Sequence, residues 1–382
     1  MDSRERILTA LSHKEPDRVP FDLGGTAQTG VHVLAYAALR NFLGLPERQV
    51  RPRQVFDQGA EMHEDLLDLV QADARHVVRR STLCERYPLL DEGEYWAYRD
   101  QWGILWRKPK SNGLYFDPTS PPLAGADVRE RLKHYPWPDP TDAWHYEPLK
   151  AWAQAAGAKG KAVVLQGFTA GILETYAWLR GYNDFFMDLG ADPDLAGYIL
   201  DALVDIKSAY WERALTQLGD LVDVVNETDD LGSQQSLLFS PNTYRRLVKP
   251  RHKRLYAAIK RAAPHAKLFL HTCGAVRPLI PDLIEIGVDV LNPLQRSAQG
   301  MNLVELKRDF GREICFWGGG IDAQQVLGPG SIEQVRESVR QGIEALAPGG
   351  GFVFAADHVV QANVPPQNVM AMRQAVHDFG NY

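Results

Sequence analysis

Along the chain, short apolar runs bounded by turn residues alternate with stretches in which apolar residues recur at helical spacing. Eight runs read as buried strands: Val19–Gly25, Ala74–Arg79, Val163–Phe168, Val222–Glu227, Lys267–Thr272, Val288–Pro293, Glu313–Gly318 and Gly351–Ala356. Most are rich in Val, Leu, Ile or Phe at consecutive positions, the pattern of parallel strands covered by helices on both faces. Helical periodicity fills Pro278–Ile286, Leu303–Phe310 and Ile332–Leu346 between them. This alternation predicts a (β/α)8 TIM barrel, with a doubly wound open sheet as the second choice.

A plain barrel needs about 250 residues, and this chain has 382. The surplus lies mainly between the second and third predicted strands, from roughly Cys84 to Lys161, in a stretch rich in Trp, Tyr, Pro and Gly. It reads as an excursion from one domain of residues 1–382, packing over one end of the barrel as a lid or a structural elaboration. Composition narrows the function classes. A net charge of -6 gives no support to a nucleic-acid partner or an anionic membrane surface. Three widely spaced cysteines, Cys84, Cys273 and Cys315, make no disulfide framework and suit a reducing cytoplasm. The charged N-terminus lacks a signal peptide's apolar core, and no apolar run is long enough to span a bilayer. A cytoplasmic enzyme is expected.

The strongest chemical signal is Leu268-Phe269-Leu270-His271-Thr272-Cys273-Gly274. Residues i and i+2 of a strand face the same way, so His271 and Cys273 aim together at the carboxyl end of the barrel, where active sites of this fold form. Thiolate plus imidazole suits Zn2+, which wants a third protein ligand beside an open position. Another predicted strand ends in Ala355-Ala356-Asp357-His358, which makes His358 the expected third ligand and Asp357 its supporting partner or substitute. Other strand ends carry Glu174 and Asp230, each a general acid or base or else a helix cap or solvated loop residue. Asp22, Gln234 and Asn292 are candidate substrate contacts.

Several ordered motifs resemble the uroporphyrinogen decarboxylase and corrinoid methyltransferase superfamily along nearly the whole chain. They include Arg4-Glu5-Arg6-Ile7-Leu8, Glu15-Pro16-Asp17-Arg18-Val19-Pro20, Leu179-Arg180-Gly181 and Asp229-Asp230-Leu231-Gly232-Ser233-Gln234. Ser240-Pro241-Asn242-Thr243-Tyr244, His271-Thr272-Cys273-Gly274, Phe316-Trp317-Gly318-Gly319 and Val364-Pro365-Pro366-Gln367-Asn368 follow in order. The resemblance implies a (β/α)8 barrel and two competing chemistries. The decarboxylase branch works without metal and grips a polyanionic porphyrinogen through arginines, two of which fall on Gly25 and Thr29 here. Losing both argues against that substrate. A metal-free decarboxylation, with Asp22 or Asp230 handling the proton, is the alternative reading. The methyltransferase branch binds zinc through His-x-Cys and a later Cys, whose place is taken by His358. The resemblance then implies a zinc site of His271, Cys273 and His358. A methyl group would move between a small-molecule donor, such as an O-methyl compound, and a separate corrinoid protein.

Overall fold

A computed structural model of the chain describes residues 1–53, 55–79 and 86–382. Cys84, at the start of the predicted excursion, lies outside the described residues. Seven parallel strands form one curled sheet, β1 (Ala74–Val77), β6 (Ala162–Gln166), β7 (Val224–Thr228), β8 (Lys267–His271), β9 (Val290–Asn292), β10 (Cys315–Trp317) and β11 (Phe352–Val353), in that spatial order. They match seven of the expected runs, mostly shortened, with β6 starting one residue earlier at Ala162 and β7 running one residue further to Thr228.

The expected first strand, Val19–Gly25, is not a strand. Pro20 has no N–H for a ladder, and what remains is one parallel bridge from Phe21 to Phe354. Both sheet edges nevertheless reach this segment. Asp22 N donates to Phe354 O and Phe354 N to Pro20 O (both 2.8 Å), while Asp73 N, just before β1, donates to Phe21 O at 2.9 Å. The helices Leu303–Phe310 and Ile332–Leu346 run as expected, whereas Pro278–Ile286 divides into a 3-10 turn, Arg277–Leu279, and a helix, Ile280–Glu285.

Between β1 and β6 the chain builds a four-stranded antiparallel sheet, β2 (Leu90–Glu92), β3 (Tyr95–Arg99), β4 (Leu105–Pro109) and β5 (Asp117–Ser120). Its aromatic rings meet residues that follow β6. Trp102 stands edge-on to Phe168 with centroids 6.0 Å apart, and Trp106 to Trp178 at 5.1 Å. Such pairs fix orientation as well as burying area.

The two-residue period of the parallel strands positions the chemistry. One apolar cluster joins Ala74, Val164, Val224, Phe269, Val290 and Trp317, with Ile7 and Leu11 of the N-terminal helix packed on it. Two residues further along the same strands, on the same face, come His76, Gln166, Asn226, His271 and Asn292. An apolar layer is thus followed toward the strands' carboxyl ends by a polar one.

Candidate metal centre

His271 ends β8, in register with Thr228 of β7 on one side and Asn292 of β9 on the other. Asn292 fixes the ring. Its Nδ2 donates to Trp317 O at 2.6 Å, so its Oδ1 faces His271 Nδ1, 2.5 Å away, as an acceptor. The proton therefore sits on Nδ1, and Nε2 keeps its lone pair. That lone pair lies 3.4 Å from Cys273 Sγ. A buried, neutral imidazole with its second nitrogen anchored is the form a metal takes. Burial also lowers the His271 pKa, which favours the neutral ring.

Main-chain contacts set the turn that carries Cys273. Cys273 N donates to Asp230 Oδ1 at 2.8 Å, and Gly274 N to Gln295 Oε1 at 2.7 Å. Gly274 has φ +89°, and a Cβ there would stand 2.5 Å from Gly232 C and Ser233 O. The glycine is required on both counts. This close approach brings the Asp229–Gly232 segment against the cysteine. As a result Asp230, His271 and Cys273 each offer a ligand atom within 4.8 Å of the others. Burial first, then the charges of Asp230, Glu174 and Asp357, push the Cys273 thiol well above its usual range. Soft sulfur, imidazole nitrogen and carboxylate oxygen form a donor set that a divalent cation would satisfy, and its charge would offset the carboxylates that now oppose the thiolate.

His358 is not in that group. Its Nδ1 lies 3.3 Å from Gln361 Nε2, and it lines a cavity of about 590 Å3 with Trp106, Trp178, Tyr115 and Tyr182. Burial and then the neighbouring His271 push its pKa down to about 4. Asp357 is buried, accepts from Ala323 N at 2.7 Å through Oδ1, and has an unpartnered Oδ2.

The acidic run after β7 divides by role. Glu227 pairs with the buried Lys207 at 3.0 Å. Asp229 accepts from Leu173 N and Glu174 N (3.0 and 3.1 Å), capping the helix Ile172–Arg180, and from His252 Nε2 at 2.9 Å. Asp230, the next residue, turns toward Cys273. Glu174 Oε2 accepts from Gly171 N at 3.3 Å and Thr228 Oγ1 at 3.2 Å, so it both closes the helix start and faces the strand ends. Burial, then Asp230 and Asp229, raise its pKa well above the ordinary carboxylate value.

The three expected substrate contacts are held by the protein itself. Asp22 is buried and accepts from Gly25 N, Thr29 Oγ1 and Trp317 Nε1 at 2.7, 2.7 and 2.8 Å. Both amide atoms of Asn292 serve His271 and Trp317, which makes it a positioning residue. Gln234 lies in a partly exposed loop beside Gln324 and Ser297, at 3.4 and 3.5 Å. Sequence reasoning named Asp230 as an acid and missed its place beside the His-x-Cys pair, which only the Gly232–Gly274 contact reveals.

Known proteins share this fold. A methyltransferase from Methanosarcina mazei shares the fold, with a TM-score of 0.66 over 99% of each chain at 19% identity. A uroporphyrinogen decarboxylase of Shewanella amazonensis is 25% identical over 276 residues, 70% of this chain and 73% of the relative. A methylated-thiol–coenzyme M methyltransferase of Methanosarcina mazei is 24% identical over 192 residues, 49% of this chain and 45% of its own length. Among the described residues, no helix is long and apolar enough to cross a membrane. Residues 113–379 match the uroporphyrinogen decarboxylase (URO-D) family model, and the chain belongs to that family.

Proposed function

We propose that this chain is a zinc-dependent methyltransferase that moves a methyl group between a small-molecule donor and a corrinoid carried by a separate protein. The observation that carries the reading is the convergence of Asp230, His271 and Cys273 within 4.8 Å at the strand ends. The relatives named as methyltransferases support it. So does the lack of cations at Gly25 and Thr29, where a porphyrinogen decarboxylase of the kind described above needs two.

Asp230, His271 and Cys273 would hold the metal, with Asn292 presenting the His271 lone pair. Bound there, zinc supplies Lewis acidity to the heteroatom that carries or receives the methyl group. His358 and the aromatic cavity it lines stand beside this point as the place for the donor. For a methyl ether, a Co(I) corrinoid would take the methyl group as the C–O bond breaks, its electron pair would stay on the oxygen, and that oxygen would need a proton. Glu174 is the group placed to supply it, because burial and then Asp230 and Asp229 raise its pKa well above the ordinary carboxylate value. The sheet β2–β5, inside the 84–161 excursion, covers the mouth on the aromatic side.

Metal analysis of untagged protein tests the reading. About one zinc per chain is expected, falling toward zero in Cys273→Ser. A parent protein without zinc after reconstitution overturns it, as does conversion of uroporphyrinogen to coproporphyrinogen by the metal-free enzyme.

A further inference from the structure

A second cluster of chemistry lies on the aromatic side of the barrel mouth. A cavity of about 70 Å3 is lined by Arg53, Arg79, Asp100, Gln101, Trp102 and Gln166, with aromatic rings around them. Arg79 spends its Nε on Phe168 O at 2.7 Å, but its Nη1 is buried without a partner among the described residues. The Trp102 indole N–H and both amide atoms of Gln101 are also buried and unpartnered, as is Gln166 Oε1. Among the described residues, the Arg53 guanidinium has neither an ion pair nor a side-chain hydrogen bond. Asp57, Glu61 and Asp22 act on it through space, while burial lowers its pKa to about 10. Asp100 is the carboxylate in the cavity wall, and both of its oxygens accept hydrogen bonds from neighbouring residues. It accepts from Trp102 N, Ile104 N and Trp106 Nε1 at 2.9, 3.0 and 2.8 Å.

Buried donors are nearly always satisfied, and each unmet one costs about 1–3 kcal/mol. Here two arginines and two neutral N–H donors line one small chamber whose own acid already accepts three hydrogen bonds from its neighbours. Its volume suits a head group rather than a whole substrate. The rings of Phe56, Trp106 and Trp178 line both this chamber and the larger cavity that contains His358. A flat apolar body anchored in the chamber would therefore extend toward the metal centre.

We infer that Arg53 and Arg79, with Gln101 and Trp102, form a subsite for the carboxylate of an aromatic substrate. The methyl donor is then an aromatic carboxylate, its charge held away from the zinc ligands and its reactive end directed to them. This assignment rests on the methyl-transfer reading for the bound molecule's role but not for its binding. Arginine is the side chain suited to the task, since its planar fork meets a carboxylate through two N–H groups at once.

Benzoate titrated into the full chain, without added metal, tests the subsite through quenching of the lining tryptophans and through calorimetry. Saturable binding is expected below about 10 mM. Benzyl alcohol, the neutral counterpart, should bind at least about tenfold more weakly, as should benzoate to Arg53→Gln, the loss of a charge-assisted hydrogen bond. Arg79→Gln is expected to do the same. It also removes the bond to Phe168 O, so if that variant melts early, Arg53→Gln decides, because no ion pair or side-chain hydrogen bond is lost there. Absence of benzoate binding, equal affinity for benzyl alcohol, or unchanged affinity in Arg53→Gln overturns the assignment. Repeating the titration on Cys273→Ser separates the two readings. Binding retained there leaves the subsite standing whatever becomes of the metal, and a failed titration leaves the zinc measurement untouched.

Discussion

Two halves of the same polar layer treat their side chains differently. Above β8 and β9, Asn292 uses both amide atoms, His271 is held by one nitrogen, and Asp230 anchors the Cys273 amide. Above β6 and β7, Asn226 is fully buried with both amide atoms unpartnered, and Gln166 Oε1 is likewise unmet. Both halves arise from the same two-residue period, one step beyond the same apolar layer. The first half is arranged in advance by the protein, as a metal site must be if its ligands are to be held in place. The second holds polar groups whose partners must come from a ligand or from water.

The largest expected effect tests how firmly the first half is fixed. Asp229→Ala strips the acceptor from His252, Leu173 N and Glu174 N together. We expect a loss of about 3–5 kcal/mol in denaturant unfolding, with zinc per folded chain unchanged. A loss below about 1 kcal/mol would show that Asp229 does little to hold the helix start and His252 in place.

Next comes pH, on the aromatic side. Burial raises the Asp100 pKa to about 6, above its ordinary 3.8. The folded state thus binds this proton more tightly than the unfolded chain does. Its contribution favours folding below about pH 4 and is lost as pH rises through about 6, a change of ~3 kcal/mol at most. Relative to Asp100→Asn, the parent should lose stability between pH 4 and 7. The opposite slope would mean that Asp100 is stabilised as a carboxylate by the arginines beside it.

A smaller effect separates positioning from packing. Asn292→Ala should weaken zinc binding by about 10–100-fold through loss of the His271 anchor, as read by competition with a chelator. Unchanged affinity would show that His271 needs no partner. The mildest test sets one asparagine against the other. Asn226→Val should leave the ligand-free protein equally stable or up to ~1 kcal/mol more stable, since it removes two unmet polar atoms from a strand. Asn292→Val should destabilise it. Equal losses would erase the contrast between the halves.

Much of this was legible before any coordinates. Seven strands fell where continuous apolar runs placed them, and His271 and Cys273 stand together as the strand period suggested, although Cys273 follows the strand and is held by the turn at Gly274. Val19–Gly25 misled because its apolar composition outweighed Pro20, which cannot donate to a ladder. The place of Asp230 beside His271 and Cys273 was harder to see. Asp229 and Asp230 are adjacent and chemically alike, and their different roles depend on a helix start and on Gly274, both distant in sequence. Arg53 and Arg79 carried no local signal. Lone arginines look like solvated surface until the fold buries them around one chamber, and nothing in the spacing of a single chain announces that contact.

The passage of Gly274 against Gly232 has a consequence for how such a site is held together. The two loops are joined by Ala275 N to Ser233 O, Asp229 N to His271 O and Leu231 N to the Thr272 hydroxyl. Apart from that hydroxyl, these are backbone bonds that make no demand on the residues at 230, 271 and 273. The backbone frame therefore sets where the two loops meet, and the Asp230 carboxylate and the Asn292 amide add the side-chain contacts that hold the Cys273 amide and the His271 ring. On such a frame any side chain at position 274 would wedge the loops apart, since its Cβ would stand 2.5 Å from Gly232 C and Ser233 O.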